Sequence, residues 1–199
     1  WFYANRTPTP VAVAPAPTPS PAPPPPPPVV EAPAPARTVD VFERLLQNQS
    51  AGFEVSASPR QRRLRINQDR LSFTVTSARA GFVHVLVREP DGSLLLLFPN
   101  ALSDKNKIGA GKPLVLPQST WPLEALDPPG VQRLLVVVTQ HAHDFAPLKI
   151  AQRDAFMQLD GDLRSAGAAQ SSALPGRAAC DRAACNAYGA AAFEVENVR

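Results

Sequence analysis

Residues Gly81 to Asn100 read GFVHVLVREPDGSLLLLFPN, and this stretch decides the fold. Two apolar runs, Phe82–Val87 and Leu94–Phe98, flank the polar segment Arg88–Ser93, which carries Pro90, Asp91 and Gly92. Pro presets φ for a turn, Asp can bond its own backbone, and Gly admits positive φ, so the segment predicts a β-hairpin. Each run is apolar at odd and even positions alike, which predicts strands buried on both faces at the centre of a sheet. Pro99-Asn100 stops the second strand, because proline cannot donate to a central ladder. The stretch contains no catalytic constellation.

Strand signals continue on both sides. Upstream, Phe53–Ala57 and Leu71–Thr76 alternate apolar with polar residues, and Arg63–Ile66 points Leu64 and Ile66 inward. Downstream come the polar loop Ala101–Lys112, with Ile108 as its anchor, and a short strand Leu114–Leu116 between prolines. Trp121, Leu123 and Leu126 are expected to cap the core, DPPG (Asp127–Gly130) to turn, and Leu134–Val138 to form another central strand. Ala190–Val198 reads as a final edge strand. Two helices are expected. Asp40–Gln49 carries Val41 and Leu45 on its apolar face, is capped by Thr38 or Asp40, and ends at Ala51-Gly52. Leu148–Ser165 places Ile150, Phe156, Leu159 and Leu163 at loosely helical spacing. The expected class is therefore mainly β (α+β): an Ig-like or related β-sandwich of about seven or eight short strands with one N-terminal and one C-terminal helix.

Composition divides the chain before this domain begins. The 199 residues include 24 prolines, of which fourteen precede Thr38. The tract TPTPVAVAPAPTPSPAPPPPPPVVEAPAPAR has no apolar period and cannot bury enough surface to offset its ordering entropy. Extended as polyproline II it would reach roughly 100 Å, which suits a spacer; docking to an SH3-like partner is the alternative. Trp1-Phe2-Tyr3, followed by Asn5 and Arg6, resembles the interfacial end of a membrane helix, where aromatic residues concentrate. The expected organisation is a membrane-proximal stub and disordered linker over 1–37, then one β-sandwich-like domain over 38–199. The net charge is +3, and the basic run RQRRLR (Arg60–Arg65) suits the wet face of a strand; with no interleaved aromatics it argues against nucleic acid as a partner.

The series GFVHVLVREPDGSLLLLFPN, NKIGAGKPLVLP and PPGVQRLLVVVTQHAHDF resembles an uncharacterised bacterial extracytoplasmic domain family. The family pattern falls here on Gly81-Phe82, Asp91-Gly92, Leu97–Asn100, Asn106, Ile108, Ala110-Gly111 and Gly130–Leu134, over about Phe53 to Phe145, and the resemblance is expected to take in the C-terminal YGAAAFEVENV segment as well. Asn67-Gln68-Asp69 departs from the Gly-Asp pair usual in members, so that turn is expected to be built differently. Members are often fused through a membrane helix and Pro-rich linker to a cytoplasmic Ser/Thr protein kinase, some resembling regulators of type VI secretion. The resemblance implies a periplasmic sensory or interaction module with no established ligand, itself not an enzyme and without cofactor, attached to the inner membrane by a helix that this chain does not contain. It implies a protein or cell-envelope ligand as partner, and homodimerisation as one route for a signal. The alternatives are a structural adaptor docking an envelope or secretion component, and a metal-dependent hydrolase.

Candidate chemistry is sparse. Cys180 and Cys185 bracket a short loop, and a disulfide there would contribute about 2 kcal/mol in an oxidising compartment. The competing reading is zinc, with His141 and His143 joining the cysteines as four tetrahedral ligands. Thiol catalysis by a cysteine with either histidine lacks an evident orienting group. Gly109–Lys112 departs from a phosphate loop, since Pro113 and a strand follow the lysine. Asp160 and Asp162 read as solvated charges. For ligand or partner contact the candidates are Asn100, Asn106, Lys107 and Lys112 at the exit of the hairpin, although Asn side chains in loops also tie backbone together.

Overall fold

Strands apolar on both faces must be covered twice, and the fold follows from that requirement. The computed structural model describes residues 40–161, 163, 174–180 and 183–199, and the chain divides into two units, Trp1–Arg37 and Thr38–Arg199. The stub, the Pro-rich linker, Thr38, Asp162 and most of the Ala166–Ala179 loop lie outside the described residues. Among the described residues the architecture is mainly β with one short α-helix, and no helix is long and apolar enough to cross a membrane. In chain order the elements are α1 (Val41–Gln47), β1 (Ser56–Pro59), β2 (Arg63–Arg65), β3 (Arg70–Leu71), β4 (Phe73–Thr76), β5 (Gly81–Arg88), β6 (Leu94–Phe98), β7 (Lys107–Ile108) and β8 (Leu114–Leu116). There follow β9 (Leu123–Glu124), β10 (Gly130–Thr139), β11 (His143–Asp144), β12 (Lys149–Arg153), β13 (Phe156–Leu159), β14 (Arg177–Ala178) and β15 (Tyr188–Val198).

The large sheet runs β12-β13-β6-β5-β10-β15-β2, with β7 paired to the start of β5. All its pairings are antiparallel except β15 with β2. Side-chain alternation sends Val83, Val85, Val87, Leu134, Val136, Val138, Phe193 and Val195 to one face. There they pack with Phe73, Val75 and Leu116 from a second, three-stranded sheet, β1-β4-β8. Leu86, Leu94, Leu96, Leu135, Val137 and Tyr188 face the other way, against Val41, Phe42 and Leu45 of α1 and against Phe145, Leu148 and Leu174. The hairpin expectation is met. Arg88 pairs with Leu94 across a turn in which Gly92 takes φ +85° and the Asp91 carboxylate accepts from Ser93 N at 2.8 Å.

A bulge in the hairpin has a packing consequence. The register shifts between Val85, opposite Phe98, and Leu86, opposite Leu96. The extra residue reverses the alternation, so Leu97 and Phe98 both enter the same core face. Phe98 then stacks on the buried Trp121, with ring centroids 5.2 Å apart and planes 11° from parallel. Trp121 caps the core as expected and Leu123 is half-buried, but Leu126 is exposed and Ala125 is buried in its place.

Helix α1 is fixed at its start by Asp40, whose carboxylate accepts from Phe42 N at 2.8 Å. Arg88 and Arg133 lie directly opposite each other on β5 and β10. Both guanidinium groups stand over the Phe42 ring, while Arg88 pairs with Asp40 and Arg133 with Glu43. The other end of α1 is tied to β15, where the Tyr188 hydroxyl donates to Leu45 O at 3.0 Å.

Three expectations need correction. The C-terminal helix is replaced by the β12–β13 hairpin, in which Arg153 pairs with Phe156 across Asp154-Ala155. Asp154 adopts φ +52°, a conformation Asp tolerates better than most residues, and it breaks the 3.6-residue pattern that Ile150 and Phe156 suggest. Ile150 is correspondingly exposed. The last strand, β15, is not an edge: it lies between β10 and β2. Leu71–Thr76 divides at Ser72, so that β3 pairs with β9 while β4 pairs with β1 and β8. The turn at Asn67-Gln68-Asp69 is closed by Asp69, which accepts from both the backbone and the guanidinium of Arg65, with Asn67 at φ +59°.

Glycine is required where β5 enters the sheet. A Cβ on Gly81 would stand 2.3 Å from the carbonyl oxygen of Thr139. Gly81→Ala must spread β5 from β10 and is expected to cost about 1–3 kcal/mol, as overpacking does. Urea unfolding of the two chains measures this; an unchanged midpoint would contradict the close approach.

Candidate functional site

The N-terminal end of β5 gathers the candidate residues. Across the large sheet at this level Lys107, Phe82, Thr139 and Tyr188 form one row, set by the β7–β5, β5–β10 and β10–β15 registers. The loop that leaves the hairpin is on one side of Phe82. The segment leading from β10 to the histidines is on the other.

On the loop side, both asparagines are engaged by their own backbone. Asn100 Nδ2 donates to Leu97 O at 2.7 Å, and its Oδ1 accepts from Leu102 N and Ser103 N at 2.9 and 3.0 Å. Asn106 Nδ2 donates to Val83 O at 3.1 Å, and Asn106 O accepts from Val83 N at 2.7 Å. These contacts shape the loop, and buried Ile108 anchors it. Lys107 and Lys112 are exposed, with the Lys107 ammonium 5.7 Å from the Phe82 ring centre. The surface offered by this loop is thus cationic and set on a fixed backbone.

On the other side the two histidines of His-x-His separate. His143 is buried; its Nε2 lies 2.8 Å from Pro175 O, and its ring packs on Phe145, with centroids 5.1 Å apart. Because a carbonyl only accepts, His143 carries its hydrogen on Nε2, leaving Nδ1 bare and without a partner. Gly176 makes this contact possible, since a Cβ there would fall 2.8 Å from His143 Nε2. His141 instead lies beside the cysteines: its ligand nitrogen and the two sulfurs are all within 4.8 Å of one another. Cys180 and Cys185 are joined as a disulfide, a bond consistent with an oxidising, extracytoplasmic location. The four residues therefore do not converge as one tetrahedral set.

A third histidine, His84, lies inside the apolar run FVHVLV, where its titratable ring is the sequence signal. It is 1% exposed and packs on Phe145 and edge-on to His143. The Thr139 hydroxyl faces two carbonyl acceptors, His141 O at 2.7 Å and Phe82 O at 3.3 Å; its one hydrogen goes to the nearer, so at 3.3 Å it accepts from His84 Nε2. Thr139 thus links the buried ring pair to the His141 segment. Burial pushes His84 down to about 3, and the neighbouring His143 acts in the same direction. Burial also lowers His143, opposed by its bond to Pro175 O and by Asp144.

Residues 64–142 match the family model described as Domain of unknown function (DUF4384). The match runs from the middle of β2 to Ala142, between His141 and His143, and so excludes both cysteines and β15. No curated protein matches the chain. No solved structure matches it.

The buried histidines make stability depend on pH in a defined window. Unfolded, each titrates near 6.5, and native His84 titrates at about 3. Between these values the unfolded chain binds the extra proton, so the contribution of His84 is complete above pH 6.5 and is lost as pH falls, by about 1.4 kcal/mol per pH unit. Asp69 and Asp91, lowered from 3.8 by bonds to Arg65 and Ser93, lose their contributions only at lower pH. Urea midpoints taken from pH 7.5 to 4.5 should fall steeply, and less steeply in His84→Phe. Equal slopes in the two chains would exclude His84 as the source.

Proposed function

We propose that this chain is the extracytoplasmic sensory or protein-interaction part of a membrane-anchored bacterial Ser/Thr protein kinase, itself non-catalytic, acting in envelope or type VI secretion signalling. The domain over 38–199 is read as a β-sandwich of Ig-like or related type, held in the periplasm on the Pro-rich segment that follows an N-terminal membrane helix. Binding of a protein or envelope ligand would alter dimerisation or the position of that helix, and so the kinase beyond it.

One observation carries the binding part of this reading: the backbone-locked loop at the start of β5. Asn100 and Asn106 spend their polar atoms on Leu97, Leu102, Ser103 and Val83, so the exposed Lys107 and Lys112 stand on a fixed frame. A preorganised cationic surface binds at lower entropic cost than a floppy one and favours an acidic partner. The compartment is supported by the disulfide, and the tether by the composition before Thr38.

Two measurements test the reading. A reporter enzyme that is active only outside the cytoplasm, fused after Arg199 in the native gene product, should be active; an inactive reporter sinks the periplasmic assignment. Cross-linking in envelope extracts should capture a partner, and the double variant Lys107→Glu, Lys112→Glu should reduce capture roughly fivefold or more, as charge reversal at an interface rim does. This variant leaves Ile108 and both asparagines in place, so capture unchanged by it removes the loop from the binding surface.

A further inference from the structure

We propose that His141, Cys180 and Cys185 form a redox-gated site for a thiophilic metal ion of the zinc class. The placement comes from backbone pairing. Strands β11 and β14 pair His143 with Ala178 and Asp144 with Arg177, and Ala179 N continues the run to Ala142 O at 2.8 Å. The next antiparallel position sets His141 opposite Cys180. Beyond the cysteine loop, Gln140 N donates to Ala187 O at 3.0 Å. The segment 140–142 therefore receives the loop at both of its ends, and one imidazole is held against two sulfurs. The bond from the Thr139 hydroxyl to His141 O fixes that residue from below.

The donor set is that of a zinc-class ion. Two thiolates and an imidazole supply three of four tetrahedral positions and leave the fourth open to water or an external ligand. Zinc–sulfur bonds of about 2.3 Å and zinc–nitrogen bonds of about 2.0 Å need donors about 3.5–3.8 Å apart; the imidazole nitrogen lies within 4.8 Å of both sulfurs, and the sulfurs, bonded to each other in the oxidised loop, must part to that spacing on reduction. His143 is not among the donors that lie within 4.8 Å of one another; its ring is buried against Phe145, with Nε2 engaged by Pro175 O. Cys185 is buried while His141 and Cys180 are half-exposed, so an ion has access from solvent.

The disulfide is the gate. A bonded sulfur pair has no thiolate to offer, so the oxidised loop cannot ligate. An external dithiol closes the balance: it transfers two electrons and two protons to the Cys180–Cys185 bond, forming two thiols, and becomes a disulfide itself. Binding of the ion then releases the two thiol protons to solvent.

The test uses the untagged 199-residue chain, either oxidised or reduced with a dithiol that is then removed anaerobically, and titrated with Co2+ as a spectroscopic stand-in for zinc. The reduced chain should bind one Co2+, with thiolate-to-cobalt charge-transfer absorption and tetrahedral d–d bands that Zn2+ abolishes. The oxidised chain should show neither. His141→Ala should weaken binding tenfold or more, and Cys180→Ser should remove most of the charge-transfer intensity. The proposal is overturned by a reduced chain with native circular dichroism and no charge-transfer band, or by loss of native circular dichroism on reduction. Equal uptake by the oxidised chain or unchanged affinity in His141→Ala would overturn it as well.

Discussion

Two-sided burial of β5, β6 and β10 is the constraint on which the rest of the molecule depends. All five residues of β6 are buried, as are Val83 to Val87 of β5 and Leu134 to Thr139 of β10. A half-buried antiparallel sheet needs one partner layer; this one needs two. The three-stranded sheet and Trp121 cover one face. The other is closed by a helix of only seven residues together with the chain after β11. So short a helix has little stability of its own. Its position is set from the sheet, by Arg88 and Arg133, whose charges both stand over the Phe42 ring, and by Tyr188 bonding Leu45 O.

That arrangement resolves an apparent conflict. Two arginines opposite each other on neighbouring strands repel. Here each is matched by an acid of the helix, Asp40 or Glu43, and both cations share one aromatic ring. The like-charge pair thus becomes a clamp whose attraction exists only when α1 is docked. Asp40 serves twice, as helix cap and as counter-ion, so the local signal that starts the helix and the tertiary contact that positions it rest on one carboxylate.

How much of this was legible in sequence depends on the range of the interaction. The hairpin was readable because period, turn residues and strand end agree within twenty residues. The helix start was readable for the same reason, through Asp40. The β12–β13 hairpin was not, because Ile150, Phe156 and Leu159 satisfy a loose helical spacing, and only the conformation of Asp154 distinguishes the two outcomes. The place of β15 inside the sheet was hidden too: its parallel pairing with β2 joins residues more than a hundred positions apart. At the candidate site, His141 and His143 look equivalent at strand spacing. Tertiary context separates them, since β14 and Pro175 claim His143 while the register beyond Ala142 delivers His141 to Cys180. The residue that could have been found was His84, a titratable group in an apolar run, where burial is the simplest expectation.

Thr139 marks the boundary between two regimes of stability. Below it lies a core of fully buried aliphatic and aromatic side chains, where any change in volume is resisted by close packing. Above it, the cysteine loop is joined to the sheet by a few backbone hydrogen bonds, to Gln140, Ala142 and the β11 residues. A loop of six residues closed by a disulfide gains about 2 kcal/mol from that closure, a small quantity beside the burial of the two core faces. Chemistry at the cysteines can therefore proceed without unfolding the sheet. Yet the same hydroxyl that accepts from His84 donates to His141 O, so a shift of the loop changes the hydrogen-bonding of a buried, uncharged imidazole. The loop is energetically local, and through the His141 segment on which it sits Thr139 gives it a polar contact into the core.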